Sequence, residues 1–524
     1  MKRERPLLEE LSAYAESDYY PLHMPGHKRR LIGDREGKTH RAGAEAVSGE
    51  NILAALSRLD ITEIDGFDNL HEPEGILRSC MERAARLYGA DRTFYSVNGS
   101  TAGLLTAISA AVPEGGRLLM ARNCHRAVYH AVYLRRLEPV YLYPGTVAGP
   151  GIADVVTPGQ VEEALMHHPD VSAVLLTSPT YDGIVADVKR IAGIAHRFRI
   201  PLIVDAAHGA HFGFHPDFPE SPVRLGADLT VVSLHKTMPC MTQTALLHVC
   251  GNLVDFEKIR LFESIYQTSS PSYVLMAGMD HCMRLVEEAG AGLWTNFFLQ
   301  RKAFIEKTKG LSFLRVFSAG NMPEGSGAEK QAKMDPGKIL IDSSHAGLTG
   351  KQLYDILLTE YHLQPEMAAG CYVTAIMTCC DDEEGWRRLA EALCSIDAAC
   401  GTGQRAECRE RTKDRQAEEG IRAGERGSRK ERKTVPYPHL EAVCSIGDAL
   451  DAKHLRCRLS EAAGRISAAF LNLYPPGIPL AVPGERLSGE VVALMEEYVR
   501  QGLSPGGMKG EFLDTVLDGK GYER

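Results

Sequence analysis

Seven short runs rich in β-branched and aromatic residues recur between residues 93 and 249, and helix-length segments separate most of them. They are TFYSV (93–97), RLLMAR (117–122), PVYLY (139–143), AVLLT (173–177), PLIVD (201–205), LTVVS (229–233) and TALLHV (244–249). Several lack alternating polar positions, which is typical of parallel strands covered by helices on both faces. The pattern predicts an α/β fold built on a seven-stranded, mostly parallel sheet.

The rest of the chain divides by composition. Two strands (GKILID, YVTAIMT) and two helices (KQLYDILLTEY, EEGWRRLAEALCSI) predict a smaller α+β domain, and AAGRISAAFLNLY predicts a helix further on. Residues 401–435 hold 11 basic and 7 acidic residues and no aromatic one, so they predict a charged disordered linker. The expected parts are an N-terminal arm (1–70), a large domain built on the seven-stranded sheet (71–310), the small domain (311–400), the linker (401–435) and a C-terminal domain (436–524).

Charge and apolar content limit the partners of the protein. The 524 residues carry a net charge of −9, which argues against a generic basic nucleic-acid binder. Acidic residues interrupt the N-terminal stretch where a signal peptide needs apolar ones, and no run approaches the roughly 20 apolar residues that cross a bilayer. The 13 cysteines form no C-x-x-C pair. We expect a cytoplasmic protein with reduced thiols and neither a membrane nor a nucleic-acid partner.

Polar residues follow four of the predicted strands, where ligands bind in open α/β sheets. Asn98-Gly99-Ser100-Thr101 follows the first strand and starts a helix, so its hydroxyls and N–H groups suit either a phosphate or a simple helix cap. His125 follows the second run, and Asp205 ends PLIVD three residues before His208. Ser233-Leu234-His235-Lys236 ends LTVVS.

Taken together, these residues predict one cofactor. A phosphate cradle, a flat ring neighbour, a carboxylate and a lysine are what pyridoxal 5′-phosphate requires. The lysine forms a Schiff base with its aldehyde, and the carboxylate pairs with the pyridinium nitrogen. Asp205 and Lys236 are 31 positions apart, which is one strand–loop–strand step.

Motifs along nearly the whole chain resemble the ornithine/lysine/arginine decarboxylase family, which has the aspartate-aminotransferase-like fold (fold type I). The resemblance is to the shorter bacterial members that lack an N-terminal wing domain. The segments that carry it are Pro21–Lys28, Asp60–Glu63, Leu70–Gly75, Asn98–Thr101, Asn123–Arg126, Ser178–Tyr181, Asp205–His211, Ser233–Lys236 and Thr268–Tyr273.

The resemblance implies a role for each matching position. Lys236 would form the Schiff base, and Asp205 would pair with the ring nitrogen. His125 would stack on the ring, His208 would lie beside it, and His235 would help to move protons. The residues expected to hold the phosphate are Gly99, Ser100, Thr101 and Ser233. The family also implies a homodimer or higher homo-oligomer with a shared active site, in which Thr268–Tyr273 reaches the cofactor of the neighbouring subunit.

The implied reaction is α-decarboxylation of a basic amino acid to a polyamine or diamine and CO2. Arginine is the first choice and lysine or ornithine the next, a preference that comes from the resemblance and from no single residue. A cationic substrate side chain needs a carboxylate in its pocket, and the candidates are Glu63, Asp65 and Glu485.

Three other functions are compared with the same residues in turn: two other kinds of enzyme and a non-catalytic regulator. An aminotransferase or another lyase would need the same lysine and aspartate, because the outcome depends on which substrate bond aligns with the ring. A metal-dependent hydrolase would use His208, His211 and His215, with His23 or His27, but it leaves Lys236 unexplained. A non-catalytic regulator would have lost Lys236 or Asp205, and both are present. We therefore expect no metal.

Overall fold

The computed structural model describes most of the chain. The described residues are 17–28, 30–32, 39–41, 56–147, 151–322, 333–401, 437–473, 477–500 and 502–517, with positions 11, 14 and 16. Apart from Gly401, which ends a helix, the predicted charged linker lies outside these ranges.

A seven-stranded sheet forms the centre of the molecule, as predicted. Its strands are β4 (Arg92–Ser96), β5 (Arg117–Ala121), β6 (Glu138–Leu142), β7 (Val171–Thr177), β8 (Leu202–Asp205), β9 (Leu229–Ser233) and β10 (Ala245–Val249). Their order is β4-β10-β9-β8-β7-β5-β6. Only β10 pairs antiparallel with its neighbours, and the other pairings are parallel. The carboxyl ends of β5, β7, β8 and β9 therefore meet at one edge.

Helices cover this sheet and account for its continuous apolar strands. They are α1 (Ile76–Tyr88), α2 (Gly99–Ala111), α3 (Arg126–Leu134), α4 (Pro158–His167), α5 (Val188–Arg197), α6 (Leu234–Thr237), α7 (Phe256–Tyr266) and α8 (Tyr273–Thr308). Helix α2 is buried along most of its length and lies so close to β9 that a Cβ at Gly103 would be 3.1 Å from Val231. Strands such as β9 and β10 are buried at every position as a result.

A smaller four-stranded sheet follows α8. It contains β11 (Arg315–Phe317), β12 (Lys338–Asp342), β14 (Met367–Ala369) and β15 (Tyr372–Ile376), in the order β11-β12-β15-β14. Helices α9 (Gly350–Glu360) and α10 (Glu383–Gly401) accompany it. Near the N-terminus, β1 (Tyr20–Leu22) pairs in parallel with β13 (Leu363–Pro365), and β2 (Arg30–Ile32) pairs with β3 (Thr39–Arg41). The N-terminal arm is thus tied to the smaller sheet.

The C-terminal part forms two small sheets. Strand β21 (Phe512–Val516) lies between β16 (His454–Arg458) and β20 (Met508–Lys509), and β17 (Leu471–Leu473) lies between β18 (Ile478–Ala481) and β19 (Pro505–Gly506). A 3₁₀ turn (Leu459–Glu461) and helices α11 (Ile446–Asp451) and α12 (Gly489–Arg500) complete it.

The helix predicted from AAGRISAAFLNLY is wrong. Gly464 turns the chain at φ +82°, and Ile466 and Ser467 form bridges to Arg486 and Thr515 before β17 begins. Alternate residues Ile466 and Ala468 are buried in the same apolar cluster, which is the period of an extended chain.

A buried ion pair joins the C-terminal part to the large sheet. Arg122, which follows β5, lies 3.0 Å from Glu485, and its guanidinium also donates to the carbonyls of Pro479 and Leu480. Both side chains are almost inaccessible to solvent. Glu485 is therefore committed to Arg122 and does not serve as the predicted substrate carboxylate.

Replacing Arg122 by methionine should lower the free energy of unfolding by about 3–5 kcal/mol, because Glu485 would remain as an unpaired buried carboxylate. The double variant Arg122→Met/Glu485→Leu should regain most of the loss. Urea denaturation measures both. Arg136→Met, which breaks an exposed pair with Asp451 on the same interface, is the matched control and should cost far less. Equal losses for the two single variants would show that burial of the Arg122 pair is unimportant.

Within the described residues, none of the helices combines the length and the apolarity needed to cross a bilayer.

Candidate active site

The first group of predicted residues lies where β4 and β9 lead into helices. Ser233 ends β9, and its Oγ donates to Ser100 Oγ, 2.8 Å away, in the first turn of α2. Gly99 adopts φ +74°, and the Asn98 side chain makes no capping hydrogen bond to this helix. Two hydroxyls and an N-terminal turn without an acidic residue therefore form a cradle for an anion. Thr101 is exposed in the same turn and makes no contact with Ser233 that the structure shows.

Gln267 holds the loop that leads into this cradle, a role that the sequence analysis missed. Its Oε1 accepts from the backbone N–H groups of Val97 and Asn98, and its Nε2 donates to the Tyr95 carbonyl. Gln267 directly precedes the Thr268–Tyr273 motif, and that adjacency is the only sequence signal for it. The loop geometry thus depends on a buried amide 170 positions away along the chain.

Beneath the same loop, Glu263 is buried and accepts hydrogen bonds from Thr106 Oγ1 and Gln267 Nε2. Burial raises the pKa of Glu263 to about 7, although the two hydrogen bonds oppose the rise. Between roughly pH 4.5 and 7, the folded protein therefore keeps Glu263 protonated, whereas the unfolded chain has released that proton.

Stability should consequently fall as pH rises through this interval, by up to about 3 kcal/mol from Glu263 alone. Glu263→Gln keeps the shape and should remove this contribution, so the variant should be more stable than the wild type at pH 8 and similar to it at pH 5. Thermal unfolding at both pH values checks the difference. A difference between the two proteins that does not vary with pH would contradict the protonation of Glu263.

Asp205 ends β8 and is buried. Its Oδ1 accepts one hydrogen bond, 3.2 Å long, from the N–H of Ala207. Burial raises the pKa of this carboxyl above its usual value, while the nearby Lys236 cation lowers it. A buried carboxylate with one hydrogen bond needs a cation close by, and this requirement fits a protonated ring nitrogen.

Lys236 lies in the short helix α6, directly after β9, and its Nζ is 3.0 Å from His208 Nε2. Burial lowers the pKa of Lys236 below its ordinary value, although Asp205 and Glu366 oppose the change. Burial also lowers the pKa of His208 far below its usual value, and the neighbouring lysines add to the effect. The site therefore favours an uncharged imidazole and makes an uncharged lysine easier to form.

The other two predicted histidines have separate positions. His125 caps α3, its Nδ1 accepts from the N–H of Ala127, and burial lowers its pKa to about 3, so its ring is neutral. His235 Nδ1 lies 3.0 Å from the Thr244 carbonyl, and its own backbone carbonyl accepts from the N–H of Gly26. His235 thus connects the N-terminal arm to the site.

The remaining candidates lie elsewhere. Glu63 and Asp65 are exposed. His211 contacts Asp335 at 2.8 Å, and His215 stacks on Phe298. Across the described ranges, no group of three or more His, Cys, Asp or Glu side chains is placed to hold a metal ion, so these histidines do not form the cluster that a hydrolase would need.

The sheet order, together with a half-buried lysine and a buried aspartate at adjacent strand ends, defines a pyridoxal-phosphate-dependent transferase fold of type I, as predicted. The solved constitutive lysine decarboxylase of Escherichia coli has this fold, with a TM-score of 0.73 at 18% identity, covering 98% of this chain and 82% of that one. A lysine decarboxylase of Francisella novicida matches with a TM-score of 0.72 at 19% identity, covering 98% and 81%.

The chain belongs to the Orn/Lys/Arg decarboxylase family: residues 5–338 match its major domain and residues 428–502 its C-terminal domain. It is 28% identical to the arginine decarboxylase of Bacillus subtilis over 98% of both chains. It is also 29% identical to that of Bacillus anthracis, over 99% of this chain and 98% of the relative. The chain is accordingly an amino-acid decarboxylase by family, which favours this activity over the aminotransferase alternative.

Proposed function

We propose that this protein removes the α-carboxylate of L-arginine to give agmatine and CO2, with pyridoxal 5′-phosphate as its cofactor. The observation that carries the proposal is the placement of Lys236 and Asp205 at the ends of the adjacent strands β9 and β8. Arginine is chosen because the arginine decarboxylases named above match this chain over 98–99% of its length.

The residues of the site fit this cofactor. The Ser100 and Ser233 hydroxyls and the N-terminal turn at Gly99 suit the phosphate, and Thr101 at the exposed side of that turn is included in the proposal. Asp205 suits the ring nitrogen. When bound, the cofactor supplies an aldehyde that bonds to amines and a protonated ring that accepts the electron pair released with CO2.

The chain's own residues would prepare and complete this reaction. Asp205, which is buried at the end of β8, would stabilise a protonated ring nitrogen. His125 has a neutral ring that can stack on the cofactor without adding charge, and His208 lies beside the Lys236 amine. His235 Nδ1 is engaged by Thr244, so only its Nε2 would be left to exchange a proton. Lys236 would return a proton to the product carbon, and its amine would then take the place of the product amine on the cofactor aldehyde.

The proposal includes a homodimer in which Thr268–Tyr273 contributes to the neighbouring site. Leu59, Ile64 and Phe67 are exposed apolar side chains, and Tyr273 OH donates to the Asp68 carbonyl within the same region. An apolar surface beside the shared segment suits a second copy of the chain. Sedimentation of the purified protein should show at least twice the mass of one chain. The proposal also retains a cytoplasmic location and the five-part division at residues 70, 310, 400 and 435.

The decisive experiment supplies arginine, lysine and ornithine separately to the purified protein with added pyridoxal phosphate. CO2 and the amine product are identified by mass spectrometry. Agmatine from arginine, with little product from the others, is expected. If cadaverine or putrescine were the main product, lysine or ornithine would replace arginine as the proposed substrate. A protein that binds the cofactor and releases no CO2 from any of the three would overturn the proposed reaction.

A further inference from the structure

His208 is contacted by three side chains at the candidate active site. Lys236 Nζ lies 3.0 Å from its Nε2, and Lys338 Nζ lies 3.0 Å from its Nδ1. The buried Tyr181 ring meets the imidazole edge-to-face, with the two ring centroids 5.0 Å apart and the ring planes at 71°. Lys338 Nζ lies 5.2 Å from the centroid of the same tyrosine ring. The position of the imidazole therefore depends on Tyr181 as well as on the two lysines.

The Tyr181 hydroxyl is held by a carboxylate from the smaller domain. Tyr181 lies in the loop after β7, and its OH donates to Glu366 Oε1 at 2.6 Å. Glu366 lies between β13 and β14. The loop backbone is fixed separately, because Gly183 has φ +102° and a Cβ there would be 2.7 Å from Lys338 Cγ. Packing thus places the loop, and Glu366 holds the hydroxyl end of the Tyr181 side chain.

The second carboxylate oxygen of Glu366 binds the N-terminal arm. Its Oε2 accepts from the Met24 N–H at 2.9 Å. Two residues further on, the Gly26 N–H donates to the His235 carbonyl at 2.7 Å, and a Cβ at Gly26 would be 2.7 Å from the Met238 carbonyl oxygen. The arm therefore packs directly on the short helix α6, which carries the reactive lysine of the proposed function.

One carboxylate thus joins two series of contacts that end at the same short helix. The first series runs through Tyr181 and His208 to Lys236 Nζ. The second runs through the arm to the His235 carbonyl. An ionised carboxylate has two acceptor oxygens and no donor, and each oxygen of Glu366 accepts from one of the two series. Loss of this carboxylate would release both series at once.

We propose that Glu366 is a positioning residue for Lys236: by accepting from the Tyr181 hydroxyl and the arm, it keeps His208 and α6 in the arrangement that the reaction needs. This inference rests on the proposed function of Lys236 as the lysine that bonds to the cofactor aldehyde. A displacement of about 1 Å at a reacting group can lower a rate by about 10²-fold. Glu366 should therefore affect the rate of the bound substrate and leave substrate binding nearly unchanged.

Two replacements of Glu366 separate hydrogen bonding from charge. Glutamine can accept from the Met24 N–H and donate to the Tyr181 hydroxyl oxygen, so it keeps both contacts and loses only the charge. Methionine has a similar length and can keep neither of these strong hydrogen bonds. In the full-length protein with pyridoxal phosphate, Glu366→Met should lower kcat by about 10²-fold and leave KM within about threefold of the wild type. Glu366→Gln should keep kcat within about fivefold.

The glutamine variant distinguishes positioning from a direct contact between Glu366 and the cationic side chain of the substrate. A loss of kcat in Glu366→Gln as large as that in Glu366→Met would mean that the charge acts directly, and it would overturn the proposal. An unchanged kcat in Glu366→Met would also overturn it. Glu391→Met is the matched control, since Glu391 pairs with Lys307 and Arg387 on the exposed side of α10, and it should leave kcat and KM unchanged.

A double-mutant cycle tests the contact through Tyr181. Tyr181→Phe keeps the ring and removes the hydroxyl, so it should lower kcat by about tenfold in the wild type and by less than about twofold in Glu366→Met. Equal losses in the two backgrounds would overturn the role of the hydroxyl. Tyr361→Phe is the control for a lost tyrosine hydroxyl, because Tyr361 OH donates to the exposed Ser395, and its kcat should match the wild type.

Two measurements on the cofactor-free protein need no turnover. Amide hydrogen exchange in the peptide that contains Met24 should become faster in Glu366→Met and stay at the wild-type rate in Glu366→Gln. Crystal structures of the two variants should show the centroids of Tyr181 and His208 farther apart than 5.0 Å in Glu366→Met only. Exchange and ring distance that are both unchanged in Glu366→Met would overturn the proposal whatever the kinetics show.

The proposed function is tested separately. Borohydride reduction of the unsubstituted protein with pyridoxal phosphate attaches the cofactor to its lysine, which mass spectrometry identifies. A label on a residue other than Lys236, or no CO2 from any of the three amino acids, would reject that function. The exchange and crystallographic results would still decide whether Glu366 holds Tyr181 and the arm.

Discussion

Replacing Lys236 by alanine is expected to lower arginine decarboxylation by about 10⁴-fold or more, because in the proposed function the residue supplies both the amine and the returning proton. The variant should stay folded, because burial disfavours the charged form of the Lys236 amine and the variant no longer has to bury this amine. CO2 release under saturating cofactor and the visible absorbance of the protein-bound cofactor are the two measurements.

Lys351→Ala is the control for the loss of a lysine, because this residue pairs with Asp355 on α9, outside the site. Its turnover should match that of the wild type. If Lys236→Ala kept turnover within tenfold of the wild type, the assignment of the reactive lysine would be wrong, and Lys338 would become the next residue to examine.

Asp205→Asn should lower kcat by about 10³-fold while preserving the fold, because asparagine keeps the shape and the acceptor for the Ala207 N–H but loses the charge. A neutral amide cannot hold a ring nitrogen in its protonated form. Steady-state kinetics and cofactor titration measure the loss of rate and of affinity.

The matched control is Asp228→Asn, at the opposite end of the same strands. Asp228 accepts from the N–H of Leu202 and contacts His196, so its replacement should affect stability and leave the rate per folded molecule unchanged. Equal loss of kcat in both variants would remove the special role of Asp205.

Much of this fold could be predicted from the sequence because its strands are locally recognisable. Each apolar run of the large sheet became a strand, and the polar residues at their ends converge since parallel strands share one carboxyl edge. The C-terminal part was harder to predict. The small, apolar run around Ile466 suits a helix locally, but pairing with Arg486 and Thr515 makes it extended.

The candidate site residues also fall into those that local sequence indicates and those that only distant contacts identify. Ser100, Asp205, Ser233 and Lys236 lie at strand ends and could be recognised from spacing. Gln267 and Lys338 could not be recognised in this way, because their contacts with Val97 and His208 join residues more than 100 positions apart in the chain.

The sequence by itself determined the sheet class, the family and the lysine and aspartate proposed for the reaction, since these depend on local pattern and motif. Only the tertiary structure decided that Glu485 pairs with Arg122, and that His208 lies between Lys236 and Lys338. The physical reason is that burial and proton sharing depend on which distant groups meet, and no local pattern records those neighbours.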